Sequence, residues 1–173
     1  MKKTVVLDID RTLVHSVPKY IAKDEWKDTL QWFDIITHIS FIRPHVRDFI
    51  EFLFNDGYNV GIFTAGSREY AEEVVEELFK ERKPTFIFSN NEYDEAFDLY
   101  GKMKPIEYIM EKYPGECILI DDSNSVYKDN MERCYRIKPF FVCFDDIPNY
   151  NVECEKDTQF IDCMNWMKEY FRN

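Results

Sequence analysis

Two aspartates one residue apart, Asp8 and Asp10, follow a short apolar run at residues 4–7. A second such run, 60–63, ends at Thr64, and a third, 117–120, ends at the pair Asp121 and Asp122. Short continuous apolar runs bounded by polar breaks suit parallel strands covered on both faces. In open parallel sheets, ligands bind beyond the carboxyl ends of the strands. The spacing therefore predicts four carboxylates and a hydroxyl at one edge of a sheet. Carboxylates so placed repel one another unless something positive joins them. With oxygen donors alone, the natural choice is a hard divalent cation, Mg²⁺ by preference. Taken alone, a D-x-D in so acidic a chain is more often a solvated pair; its coincidence with the other strand ends is what argues for a shared site.

The elements that must position these residues are legible in the same way. Further apolar runs at 85–88 and 140–144 make five predicted strands. Amphipathic stretches lie between them. Val46, Phe49, Ile50, Phe52 and Leu53 share one helical side, which stops at Asn55-Asp56-Gly57. Tyr70, Val74, Val75, Leu78 and Phe79 do the same behind Ser67, a natural helix cap. Ile106, Ile109 and Met110 follow Pro105, which suits a first turn, and residues 160–171 predict a closing helix. Strand and helix in alternation predict an α/β fold: a doubly wound, Rossmann-like parallel sheet with helices on both faces. Residues 13–42 break the pattern. They hold two tryptophans and no clear period, and read as a small insertion after the first strand, with β character near 38–42. The whole of 1–173 is expected to form a single domain.

Composition excludes several classes. Hydrophobic residues make up 45% and aromatics 17% of 173 residues, enough for a full core and far from the profile of disorder. Thirty-three acidic against 22 basic side chains leave a formal charge of −11, which disfavours broad nucleic-acid binding through phosphate contacts. No apolar run approaches the ~20 residues of a membrane span, and no leader-like segment is read at the start. The expectation is a soluble, intracellular protein of cytoplasm or nucleus. The five cysteines form no C-x-x-C pair and no metal-finger spacing, so they read as reduced thiols. The residues carry no signal for an oligomeric state.

The run Val5-Val6-Leu7-Asp8-Ile9-Asp10-Arg11-Thr12-Leu13-Val14-His15-Ser16 resembles the first motif of the haloacid dehalogenase superfamily. Within it, the run looks like the branch of RNA polymerase II C-terminal-domain phosphatases and their small relatives, the NLI-interacting-factor-like proteins. Arg43-Pro44-His45 before a helix, Ile62-Phe63-Thr64-Ala65 with Tyr70-Ala71, a lysine at 104 or 102, and Ile118-Leu119-Ile120-Asp121-Asp122-Ser123 are similar to that branch's remaining motifs, in order. The resemblance implies a Mg²⁺-dependent phosphatase. In it Asp8 is the nucleophile, forming an aspartyl-phosphate, and Asp10 is the general acid and base. Asp8, the Asp10 carbonyl and Asp122 would hold the metal, with Asp121 orienting. Thr64 and Lys104 would contact the phosphoryl group, and Ala65, Tyr70 and Trp32 the rest of the substrate. The expected substrate is a phosphorylated protein or peptide; Trp26, Trp32 and Phe33 of the insertion could wall its groove, although such a tryptophan pair more often builds a small local core. The same core serves small-metabolite phosphatases, nucleic-acid 3′-phosphatases and non-catalytic binding modules. Two departures stand out: Arg11 occupies a position where Glu or Gly is usual, and no arginine occurs from 83 to 132.

Overall fold

The computed structural model describes residues 2–142 and 152–172. The chain runs β1 (Lys3–Leu7), β2 (Val14–Pro18), α1 (Asp24–Thr29), β3 (Trp32–Ile35), β4 (His38–Ile42), α2 (Val46–Asn55), β5 (Asn59–Phe63) and α3 (Arg68–Phe79). It continues through β6 (Phe86–Phe88), α4 (Asn90–Tyr100), α5 (Ile106–Lys112), β7 (Glu116–Asp121), α6 (Asn124–Asp129), β8 (Cys134–Arg136) and α7 (Gln159–Tyr170). Five strands form one parallel sheet in the order β6-β5-β1-β7-β8, with β1 at its centre.

Because side chains alternate across a strand, the continuous apolar runs feed two cores. Val5, Leu7, Val60, Ile62, Ile118 and Ile120 pack with α2, α3 and α7. Val6, Phe63, Cys117, Leu119, Phe86 and Phe88 pack with α4, α5 and α6 on the other face. Gly61 in β5 has a spatial reason: a Cβ there would lie 2.2 Å from the Phe86 ring. Among the described residues no helix is long and apolar enough to cross a membrane.

The fifth strand is not where the apolar run predicts it. The partner of β7 is the three-residue β8, with Leu119 opposite Cys134 and Asp121 opposite Arg136. Phe140 and Val142 are buried, but in a third cluster with Trp26, Leu30, Ile39 and Phe41 of the insertion. Their amides are taken elsewhere: Phe140 N–H donates to the Arg11 carbonyl (2.8 Å) and Val142 N–H to His15 Nδ1 (3.1 Å). Cys143 and Phe144 lie outside the described residues. A short edge strand needs no long apolar run, and an apolar run can be claimed by a neighbouring core.

Residues 14–42 are more ordered than their sequence suggests. They form an antiparallel sheet, β2-β4-β3, carrying the helix α1. Helix α4 also lacks a clear apolar stripe, since Ala96 is its buried residue; a capping box between Ser89 and Glu92 starts it instead. Ser67 caps α3 as expected, accepting from Tyr70 N–H. Pro105 sits one position earlier than expected, at the cap of α5.

Candidate active site

The carboxyl end of the sheet gathers residues from five segments around one cavity of about 530 Å³. Asp8 follows β1, and its N–H extends the ladder to the Ile120 carbonyl (3.0 Å). The chain then turns sharply: Arg11 takes a left-handed φ of 63°, and the Thr12, Leu13 and Val14 amides all donate to the Ile9 carbonyl. That turn buries Asp8 while leaving Asp10 exposed at the mouth. Two carboxylates separated by a single residue thus sit in opposite environments.

Asp8 is clamped on both oxygens. Lys104 Nζ donates to Oδ1 (2.6 Å) and Thr12 Oγ1 to Oδ2 (3.0 Å). The same ammonium donates to Asp121 Oδ2 (2.6 Å), whose Oδ1 accepts from Ser123 N–H (2.8 Å). Burial pushes the Asp8 carboxyl up, to about 8; Lys104 opposes that rise and Asp121 adds to it. Burial works against the Lys104 ammonium, but Asp8 and Asp121 outweigh it and hold the group firmly protonated. Asp122 is raised by burial and by Asp121, with Arg11 opposing.

Asp8, Asp121 and Asp122 each present an oxygen within 4.8 Å of the others. Three carboxyl groups share one lysine, so ionising all of them leaves excess negative charge, and the cluster offers only hard oxygen donors. That donor set fits a divalent cation of the Mg²⁺ type.

Thr64 follows β5, its N–H donating to the Phe88 carbonyl (2.9 Å), and its Oγ1 accepts from Gly66 N–H (3.1 Å). Thr64 and Ala65 both line the cavity, as do Arg11, His15 and Ser16. Of the two lysines, Lys104 reaches the site; Lys102 pairs with Glu107 at the surface (2.7 Å). Arg11 lays its guanidinium 4.8 Å from the centre of the Phe141 ring. Tyr70 donates to Asp10 Oδ1 (2.7 Å), and burial together with Asp10 holds its phenol above the usual range.

Trp32 is not brought to the site. It lies on β3 opposite Phe41, half exposed, with Lys27 Nζ 5.3 Å from its ring centre, and it lines neither the cavity around Asp8 nor the adjoining one that reaches Asp10. Trp26 is fully buried against Phe41, and Phe33 belongs to the main core. The insertion instead offers Ile35, Ile36, Thr37 and His38, which line a second cavity of about 530 Å³ shared with Asp10, Ser16, Tyr70, Glu69 and Glu73.

Two supporting residues escape a sequence reading. Buried Asn130 Nδ2 donates to the carbonyls of Met103 (3.2 Å), Lys104 (3.3 Å) and Val126 (2.9 Å), while its Oδ1 accepts from Ile106 N–H (3.1 Å). It fixes the loop in which Lys104 holds a φ of 47°. Arg43, 1% exposed, donates to the carbonyls of Arg11 (3.3 Å), Thr12 (3.2 Å) and Lys138 (2.6 Å) and pairs with Asp157 (2.8 Å). It braces the turn behind Asp8. The Arg-Pro-His tripeptide marked the place of Arg43 without naming what it holds.

Residues 3–169 match the model of the NLI interacting factor-like phosphatases. The chain belongs to this family. It is 25% identical over 163 residues to a putative CTD phosphatase-like protein of Invertebrate iridescent virus 6, covering 83% of this chain and 89% of the viral one. It is 27% identical over 133 residues to a human C-terminal domain phosphatase of RNA polymerase II, covering 73% of this chain and 13% of that much longer protein. Among solved structures, the fission yeast RNA polymerase II CTD phosphatase Fcp1 bound to beryllium fluoride superposes with a TM-score of 0.63 at 18% identity, covering 98% of this chain and 52% of the other. This NLI interacting factor-like chain is therefore a phosphatase of the haloacid dehalogenase type, with that superfamily's sheet.

Proposed function

We propose that this chain is a Mg²⁺-dependent hydrolase of phosphoserine or phosphothreonine in proteins, working through a phosphoryl group carried on Asp8. The observation that carries the reading is the contrast between the first two acids. Asp8 is buried and held by Lys104 and Thr12, whereas Asp10 is exposed and held by Tyr70. Paired carboxyl groups in unlike environments divide such roles between them; a cation beside Asp8 and Asp122 would join Lys104 in keeping Asp8 ionised for attack, leaving Asp10 to carry the proton.

Asp8 attacks phosphorus as the bond to the leaving oxygen breaks, and Asp10 gives that oxygen its proton. Asp10 then takes a proton from water, which attacks the aspartyl-phosphate, releases inorganic phosphate and restores Asp8. Thr64 and Lys104 hold the phosphoryl oxygens, and positioning of this kind supplies most of the catalysis in phosphoryl transfer. Asp8, Asp122 and the Asp10 carbonyl would hold the cation, with Asp121 oriented by Lys104 and Ser123. When bound, the ion offsets the negative charge of the phosphoryl oxygens. The second cavity, which continues from Asp10 along the insertion, favours an extended substrate, and the relatives named as C-terminal-domain phosphatases support a protein one.

The test is mass spectrometry of the protein trapped during turnover, with kinetics on phosphopeptides, nucleotides and a 3′-phosphorylated oligonucleotide, with and without chelator. Asp8→Asn should abolish turnover. Asp10→Asn should lose ~10²–10⁴-fold and accumulate a phosphoryl adduct on Asp8 when the leaving group is an acidic phenol. Full activity after exhaustive chelation, or an adduct on another residue, would overturn the reading.

A further inference from the structure

A chain of hydroxyls runs from the inserted sheet to the general acid. Ser16 on β2 and Ser40 on β4 are directly opposite each other, with their Oγ atoms 2.7 Å apart. Ser16 Oγ lies 2.9 Å from the Tyr70 hydroxyl, which lies 2.7 Å from Asp10 Oδ1. Each hydroxyl has one proton to give. Tyr70 gives its proton to the carboxylate, so it accepts from Ser16, and Ser16 in turn accepts from Ser40. The direction of the whole chain is thereby set, and it ends on one named oxygen.

From this we infer that Tyr70 is a positioning residue that fixes which oxygen of Asp10 does the proton transfer. Oδ1 is kept as an acceptor of the Tyr70 proton, so the transferable proton resides on Oδ2. This rests on the role given to Asp10 above and extends it. It differs from the expectation that Tyr70 is a substrate contact. Tyr70 is itself fixed at both ends: its N–H donates to the Ser67 cap (3.3 Å), and its hydroxyl is braced by a serine pair whose deeper member, Ser40, is fully buried. Because Ser16 and Ser40 belong to the insertion, the same chain connects the wall of the second cavity to the acid.

The experiment is a single-turnover measurement of Asp8 phosphorylation in Tyr70→Phe, which keeps the ring and removes the hydroxyl. Two substrates are compared: a phosphoserine peptide, whose leaving oxygen needs a proton, and p-nitrophenyl phosphate, whose leaving oxygen does not. General acid catalysis is worth ~10²–10⁴-fold, and a misdirected proton should forfeit about 10- to 100-fold of it with the peptide. The phenyl ester should change less than about threefold, with the peptide KM within about twofold. Ser16→Ala, which loosens Tyr70 without touching Asp10, should show the same split at a few-fold. Tyr70→Phe in an Asp10→Asn background should add nothing, since residues acting as a unit are not additive. Equal losses on both substrates, a change confined to KM, or additivity with Asp10→Asn would each overturn the inference while leaving the phosphatase reading intact. Absence of phosphorylated Asp8 in Asp10→Asn given p-nitrophenyl phosphate, where the adduct should accumulate, would instead overturn that reading, and this inference with it.

Discussion

Replacing Asn130 with alanine tests whether the lysine at the site is held there by a residue that never touches its ammonium. Asn130 shares its two amide hydrogens among the carbonyls of Met103, Lys104 and Val126 and accepts from Ile106 N–H, the equivalent of about three hydrogen bonds. Each buried hydrogen bond contributes about 1 kcal/mol net, and partners left unsatisfied cost more. Water entering from the neighbouring surface groove, which Asn130 also lines, offsets part of the loss. The expected destabilisation is therefore about 2–4 kcal/mol, read as a shift of the urea midpoint. Lys104 holds a left-handed backbone that costs on the order of 1–3 kcal/mol in a residue with a side chain. Freed from Asn130, it relaxes and carries Nζ away from the 2.6 Å bonds to Asp8 and Asp121. Misplacing a positioned group by ~1 Å costs on the order of 10²-fold, so kcat on p-nitrophenyl phosphate should fall by about 10- to 100-fold. Lys104→Ala sets the floor. Asn130→Asp is the sharper variant, because it keeps the acceptor for Ile106 but turns a carboxylate toward three carbonyls; it should be worse than alanine in both assays. A stability loss under about 0.5 kcal/mol, or a normal loss with unchanged kcat in the folded variant, would refute the reasoning.

Two further outcomes follow from the site. The folded-state pKa of Asp8 is raised to about 8, so the native protein holds a proton there that the unfolded chain releases near pH 4. Stability contributed by that proton is present at low pH and is lost as pH rises through about 8, with a slope from this group of about 1.4 kcal/mol per unit. In chelator, Asp8→Asn should flatten the slope and be the more stable protein at pH 8, and Mg²⁺ should stabilise the unaltered chain increasingly with pH; parallel urea curves at pH 5 and 8 would contradict this. On the insertion, Trp32→Ala should leave the phosphopeptide KM within about twofold, while Ile36→Asp should raise it about 5- to 30-fold, the equivalent of ~1–2 kcal/mol of lost apolar contact, with p-nitrophenyl phosphate unaffected. The reverse ranking would return the substrate wall to Trp32.

What the sequence by itself determined is what local pattern can encode. The runs ending at Asp8, Thr64 and Asp121 are strands because continuous apolar residues suit a sheet covered on both faces, and their order placed the acids at one edge. The helices behind Ser67 and Pro105 were legible from caps and period, and α4 was available in the Ser89–Glu92 spacing alone. Tertiary structure decided the rest. It chose Cys134–Arg136 over the more apolar 140–142 as the fifth strand, because the insertion competes for those side chains. It chose Lys104 over Lys102, from 96 residues away, by a loop conformation that Asn130 imposes. It sorted Trp26 into a core and Trp32 away from the site, and it brought Tyr70 and the Ser16–Ser40 pair to Asp10. Period and capping act between residues a few positions apart, whereas these contacts depend on where separate elements come to rest against one another. No spacing along the chain records that.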